Sequence, residues 1–144
     1  MTTILRAIAV AIACLGAPVW ASDLADEITG YMDFATYDSG IVVPEQLTQD
    51  VFDAALFIDT RDADQFDVAT IPGATHIEWR EVPGRLGEIP DSGMVILFCN
   101  TGSLSAQAVF AARLMGHENV LVLQTGLQGW QLNAAYKPEW WHGG

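Results

Sequence analysis

Three short runs of apolar residues most constrain what this chain can fold into: Ala55-Leu56-Phe57-Ile58, Met94-Val95-Ile96-Leu97-Phe98 and Val120-Leu121-Val122-Leu123. None alternates apolar with polar, as a strand with one wet face does. A strand apolar on both sides must be covered on both sides, and that is the condition of a buried parallel strand. Parallel neighbours need long crossovers, and the stretches between the runs read as helices. Leu104 to Met115 follows the second run, with Leu104, Ala108, Ala111, Ala112 and Met115 as a small-residue face and Gly116 as its C-terminal cap. A short helical turn from Gly126 to about Leu132 follows the third run and carries Trp130 as a core residue. Strands alternating with helices predict an α/β fold with a mainly parallel sheet and helices on both faces.

The remaining elements fit that scheme. Gly40 to Val43 reads as a short strand, and Pro44 suits the first position of a helix reaching Phe52. Asp62 to Val68 reads as a short helix, Ile71 to Ala74 as a turn, and His76-Ile77 as a short strand. Pro83, Gly84, Gly87, Pro90 and Gly93 mark a loop-rich stretch.

The first 21 residues have the layout of an export signal. Arg6 precedes an apolar stretch from Ala7 to about Ala17, and Val19-Trp20-Ala21 offers a cleavage site before Ser22. The stretch is shorter than the roughly 20 residues that span hydrocarbon, and Pro18 interrupts it, which disfavours a membrane anchor. Residues 11–13 are a poor match to the pattern that precedes a lipidated cysteine, which disfavours lipidation of Cys14. The expected organisation is a signal peptide over 1–21, an acidic N-terminal extension over 22–39, one domain over 40–132 and an aromatic tail over 133–144. The expected destination is periplasmic or secreted. The 144-residue chain carries a formal charge of −12, and removal of Arg6 makes it one unit more negative. Such a chain lacks the basic footprint of a nucleic-acid or anionic-membrane binder.

Cleavage would also leave Cys99 as the one cysteine of the mature chain. It stands where a buried strand ends, and ligands of open α/β sheets gather beyond the carboxyl ends of the strands. The segment Cys99-Asn100-Thr101-Gly102-Ser103-Leu104-Ser105 then enters a helix N-terminus, where backbone N–H groups lack helical partners and the dipole is positive. Such a loop can curl its amides around sulfur as an anion nest, lowering the thiol pKa and holding an anion that approaches it. Gly102 permits the turn. The bland alternative is a buried structural cysteine.

Read in order, the motifs resemble the rhodanese family of sulfurtransferases, in particular its small single-domain periplasmic type. Phe57-Ile58-Asp59-Thr60-Arg61, Asp64-Gln65-Phe66, Ile71-Pro72-Gly73-Ala74, the strand and loop Val95 to Gly102, and Gly116 to Val120 with Thr125 to Trp130 follow one another as that family's motifs do. The resemblance implies a doubly wound α/β fold and a Cys99 persulfide that carries sulfur from a donor of the thiosulfate or mercaptopyruvate type to a thiol or cyanide acceptor. It implies no cofactor and no metal. It makes residues 100–105 the persulfide-holding loop, and Asp59 and Arg61 its structural support. Three positions depart from the pattern. The loop has no arginine, Ala69-Thr70 stands where Gly-His is usual, and Thr125 replaces a glycine.

Other chemistries fit less well. A cysteine phosphatase needs an arginine six residues after the cysteine to clamp phosphate, and that position is Ser105. No motif pairs His76, His117 or His142 with Cys99, no metal-ligand spacing is present, and there is no Cys-x-x-Cys. The alternative of a different class is a non-catalytic module on the same fold that binds a sulfur species or a protein partner. The aromatic tail is a candidate shield for the lone thiol.

Overall fold

In the computed structural model, residues 21–141 are described. The expected signal segment falls almost entirely outside them, as does His142. Five strands, β1 (Ile41–Val42), β2 (Leu56–Asp59), β3 (Thr75–His76), β4 (Val95–Phe98) and β5 (Val120–Leu123), form one sheet in the order β1-β5-β4-β2-β3. Every neighbouring pair is parallel. The helices are α1 (Ala21–Phe34), α2 (Gln49–Ala54), α3 (Ala63–Val68), α4 (Ser103–Leu114) and α5 (Gly126–Asn133). None of them is long and apolar enough to cross a membrane.

The continuous apolar runs are explained by two cores, one on each sheet face. Ile58, Val95, Leu97, Val120 and Val122 pack on one side against Ala108, Val109 and Ala112 of α4. Phe57, Ile96, Phe98 and Leu123 pack on the other side with Leu47, Leu127 and Trp130. Successive strand residues point to opposite faces, so each run feeds both cores at once.

The inward face of α4 is Ser105, Ala108, Val109 and Ala112, rather than the expected stripe through Leu104 and Met115, which are exposed. The segment after Pro44 is not one helix. A 3-10 turn at Pro44–Gln46 gives way to α2, and the break lets Leu47 enter the core. The loop-rich stretch forms 3-10 turns at Val82–Gly84 and Leu86–Glu88, placing Val82 and Ile89 under α4.

In the N-terminal extension, α1 packs on α4. Tyr31 meets Phe110 edge to face at 5.5 Å, and Arg113 Nε donates to the Tyr31 hydroxyl at 3.1 Å. In the tail, Trp141 packs edge to face on Trp130 at 4.6 Å and Tyr136 on Phe52 at 5.4 Å.

The strand order fixes where a ligand fits. From β2 the chain crosses through α3 to β3 at one edge; from β4 it crosses through α4 to β5 in the opposite direction. A crevice opens where neighbouring strands send their crossovers apart, beyond their carboxyl ends. The β2–β4 register pairs Asp59 with Phe98, so the turn Asp59-Thr60-Arg61 and Cys99 emerge side by side.

Candidate active site

Cys99 follows β4 directly and is 3% exposed. Its loop passes through Gly102, whose φ of +92° makes it the left-handed N-cap of α4. That turn aims the N–H groups of Thr101, Leu104 and Ser105 at the sulfur, joined by the Ser105 hydroxyl at 3.6 Å. Burial alone pushes the thiol up. The Ser105 amide and hydroxyl and the amides of Thr101 and Leu104 together outweigh it and hold Cys99 below the ordinary thiol value. The Ser105 proton has a second acceptor, the Gly102 carbonyl at 3.1 Å. Ionisation of the thiol strengthens the competing pull of the sulfur, because hydrogen bonds to charged acceptors are the stronger ones.

The loop's carbonyls are held by α5. Leu127 N donates to Cys99 O at 2.8 Å and Gln128 N to Asn100 O at 3.1 Å. With those carbonyls turned toward α5, the following amides are free to face the sulfur. Asn100 acts through its side chain: Oδ1 accepts from Arg61 Nη1 at 3.3 Å, and Nδ2 donates to Gln65 Oε1 at 2.6 Å. Ser103 opens α4, exposed, its hydroxyl 3.2 Å from that of Thr101.

Asp59 and Arg61 are buried together beneath the loop, at 0% and 7% exposure, with Nη2 2.6 Å from Oδ2 and Nε 2.9 Å from Oδ1. Removing one partner from such a pair leaves an uncompensated charge, commonly at a cost of about 3–5 kcal/mol. The Ala69-Thr70 departure is accommodated here. Thr70 Oγ1 donates to Asp59 Oδ2 at 2.8 Å, and the Ala69 carbonyl accepts from Arg61 Nη2. Thr60 ties the two strands, its N–H and hydroxyl both donating to Phe98 O, at 2.8 and 3.0 Å.

The sulfur looks into a cleft of about 570 Å³. Cys99, Asn100, Thr101 and Leu104 form its floor, Thr60, Arg61, Asp62 and Gln65 one wall, and Glu78, Trp79, Arg80 and Gln128 the rest. Among the described residues none of the tail lines it, and Trp141 packs instead on Trp130. His76 lies in β3 with Nε2 donating to Arg61 O at 2.7 Å. His117 lies beyond the far end of α4, which at 1.5 Å per residue is about 18 Å long.

Sequence reasoning missed the wall from Glu78 to Arg80. Arg80 is paired with Glu78, Nη2 to Oε1 at 2.8 Å, and its guanidinium lies over the Trp79 ring at 5.8 Å. The hydrogen bond from Arg80 outweighs desolvation and keeps the Glu78 carboxyl below its ordinary value, so it stays an anion at neutral pH. The one signal available was position, since these residues directly follow the short strand at His76-Ile77.

Residues 43–133 match the rhodanese-like domain family. The chain is 31% identical over 88 residues to a sulfurtransferase of Allochromatium vinosum, covering 60% of this chain and 82% of that protein. It is 27% identical over 73 residues to YrkF, a Bacillus subtilis protein named as a sulfur carrier, and spans only 40% of that protein's length against 51% of its own. Among solved structures, a rhodanese-related protein of Thermoplasma volcanium superposes with a TM-score of 0.58 at 20% identity, covering 63% of this chain and 89% of that one; this likeness concerns the fold. The β4–Cys99–α4 unit, the sheet order and the match over 43–133 agree, and the chain belongs to the rhodanese-like family.

Proposed function

We propose that this protein is an exported sulfurtransferase that carries sulfane sulfur on Cys99. The observation that supports this most is the convergence of three backbone N–H groups and the Ser105 hydroxyl on the Cys99 sulfur. Such a cradle stabilises an anion on that atom or on a second sulfur bonded to it. With thiosulfate, the Cys99 thiolate attacks the outer sulfur, the donor S–S bond breaks, and sulfite leaves with the bonding pair. With mercaptopyruvate, the thiolate attacks the thiol sulfur and the C–S bond breaks. The carbanion leaves as the enolate of pyruvate and takes up the thiol proton. Either route gives Cys99–S–S⁻. A thiolate or cyanide acceptor then attacks the outer sulfur and regenerates the Cys99 thiolate. This is nucleophilic catalysis in which donors fixed in the backbone, rather than a neighbouring base, activate the nucleophile.

Intact-mass measurement after incubation with each donor tests the reading. The expected result is a gain of about 32 mass units, removed by cyanide and absent in Cys99→Ser. If no donor loads Cys99 the proposal falls, and a non-catalytic module binding a sulfur species or a partner protein takes its place. Export is tested separately: the N-terminus of the protein recovered from outside the cytoplasm should be Ser22.

A further inference from the structure

The cleft contains two arginines, and they differ in how much hydrogen-bonding capacity they keep. Arg61 is buried and has four of its five N–H groups engaged: Nε and Nη2 with Asp59, Nη2 also with the Ala69 carbonyl, and Nη1 with Asn100, so it has no two-donor edge left. Arg80 is 72% exposed along its side chain. One edge of its guanidinium faces Glu78, with Nε and Nη2 at 2.9 and 2.8 Å from Oε1. Among the described residues, Nη1 has no partner. The plane is held over the Trp79 ring, and both side chains line the cleft into which Cys99 opens. The loop from Asn100 to Ser105 contributes no cation.

We propose that Arg80 is the anion anchor of this cleft, and that Glu78, sharing the same guanidinium, restricts it to sulfur donors carrying a single carboxylate. A guanidinium edge with two N–H groups matches a carboxylate in a bidentate fork, which a point charge does not. Any anion that takes this edge lies close to the Glu78 carboxylate, which remains on the other edge. Attraction to Arg80 and repulsion from Glu78 both grow in proportion to the ligand's charge and largely offset each other, whereas the cost of taking an anion out of water grows as the square of its charge, so a dianion such as thiosulfate gains less net binding than a monocarboxylate. The acidic chain as a whole biases in the same direction. The inference rests on the reading of Cys99 as the sulfur acceptor, but it can be judged apart from it.

Alkylation of Cys99 by iodoacetate, relative to the neutral iodoacetamide, reads the anchor without any sulfur transfer. Arg80→Gln should lower that ratio about fivefold, and Arg80→Lys by less, because charge is kept while the fork is lost. In turnover, Arg80→Gln should raise KM for mercaptopyruvate about tenfold with a smaller change in kcat. Glu78→Gln should lower KM for thiosulfate by a larger factor than KM for mercaptopyruvate. A ratio within twofold of wild type in Arg80→Gln overturns the anchor. Equal effects of Glu78→Gln on the two donors overturn the selection by charge. If wild-type protein is loaded by neither donor, the proposed activity fails while the alkylation ratio still decides the role of Arg80.

Discussion

Two helices begin beside Cys99, and they use their first turns in opposite ways. Both start at a residue with positive φ: α4 at Gly102, φ +92°, and α5 at Thr125, φ +65°. Each has N-terminal N–H groups with no helical partner. In α5 two of these are taken by the carbonyls of Cys99 and Asn100. In α4 those of Leu104 and Ser105 face the sulfur. The same local structure therefore serves as a structural bracket in one case and as an electrostatic cradle in the other. A helix N-terminus becomes a site only when its donors are still unspent, and here the second helix leaves the first one's donors free. The comparison makes a graded set of predictions, because damage to the bracket should cost stability first and damage to the cradle should cost chemistry first.

The largest effect is expected at Gly126. Its φ is +58°, and a Cβ there would run into the Cys99 carbonyl and lie 2.7 and 2.8 Å from Asn100 C and O, all backbone atoms that cannot rotate away. Gly126→Ala should cost about 3 kcal/mol, combining left-handed strain with displacement of the loop. The midpoint of urea denaturation measures it. Stability within about 0.5 kcal/mol of wild type would break the idea that α5 brackets the loop.

Gly102 comes next. A Cβ there would approach Leu123 O at 3.1 Å, a milder contact, at a φ of +92° that lies further from the left-handed region open to L residues. Gly102→Ala should cost about 1–2 kcal/mol of stability. Its effect on chemistry should be out of proportion to that loss, because tilting the start of α4 moves the Leu104 and Ser105 amides off the sulfur. The measurement is the pH profile of Cys99 alkylation, whose midpoint should move up toward that of an ordinary thiol.

Ser105→Ala removes one donor and leaves the backbone in place. Cys99 is held below the ordinary thiol value, so its thiolate persists to lower pH than that of a free cysteine. Taking away the hydroxyl must raise it, shifting the alkylation profile to higher pH. Below both midpoints the variant should react roughly tenfold more slowly, the worth of about 1.5 kcal/mol for one hydrogen bond to a charged group, and above both midpoints the rates should converge. The same sign applies to stability. A depressed native pKa stabilises the fold above the unfolded thiol's value, and that contribution is lost as pH falls through the native one. In Cys99→Ala this dependence should vanish.

The difference between legible and illegible parts of this protein follows the same division. β2, β4 and β5 could be read from the sequence because burial on both faces leaves a continuous apolar run. Cys99 could be read because a polar loop follows such a run directly. The inward face of α4 lies one residue on from the apolar stripe, with Ser105 buried and Leu104 exposed, because a polar side chain looks like a surface residue until its partner is known. The Glu78-Trp79-Arg80 wall left even less trace. It is joined to Cys99 only through the fold, and nothing in the spacing of the two segments says that they share a cleft. Thr125 was visible as a departure from the family pattern, but its meaning lay in a backbone angle.

That position offers the smallest effect and the finest test of the bracket. Thr125 is the one non-glycine residue with positive φ among those described, and its side chain occupies the space a Cβ on Gly129 would need. Thr125→Gly relieves a left-handed penalty of about 1 kcal/mol but gives the unfolded chain about 0.5–1 kcal/mol of extra freedom, so the net gain should be no more than about 0.5 kcal/mol. Alkylation of Cys99 should not change, because Leu127 and Gln128, not residue 125, donate to the loop. The pairing with Gly129 should show in a double-mutant cycle. Gly129→Ala should be destabilising beside Thr125 and close to neutral beside Gly, with a coupling of about 1 kcal/mol. Additive effects, or a Thr125→Gly variant whose thiol titrates differently, would mean that the residue before α5 acts on the sulfur itself and that the two helix starts are less separate than their hydrogen bonds make them.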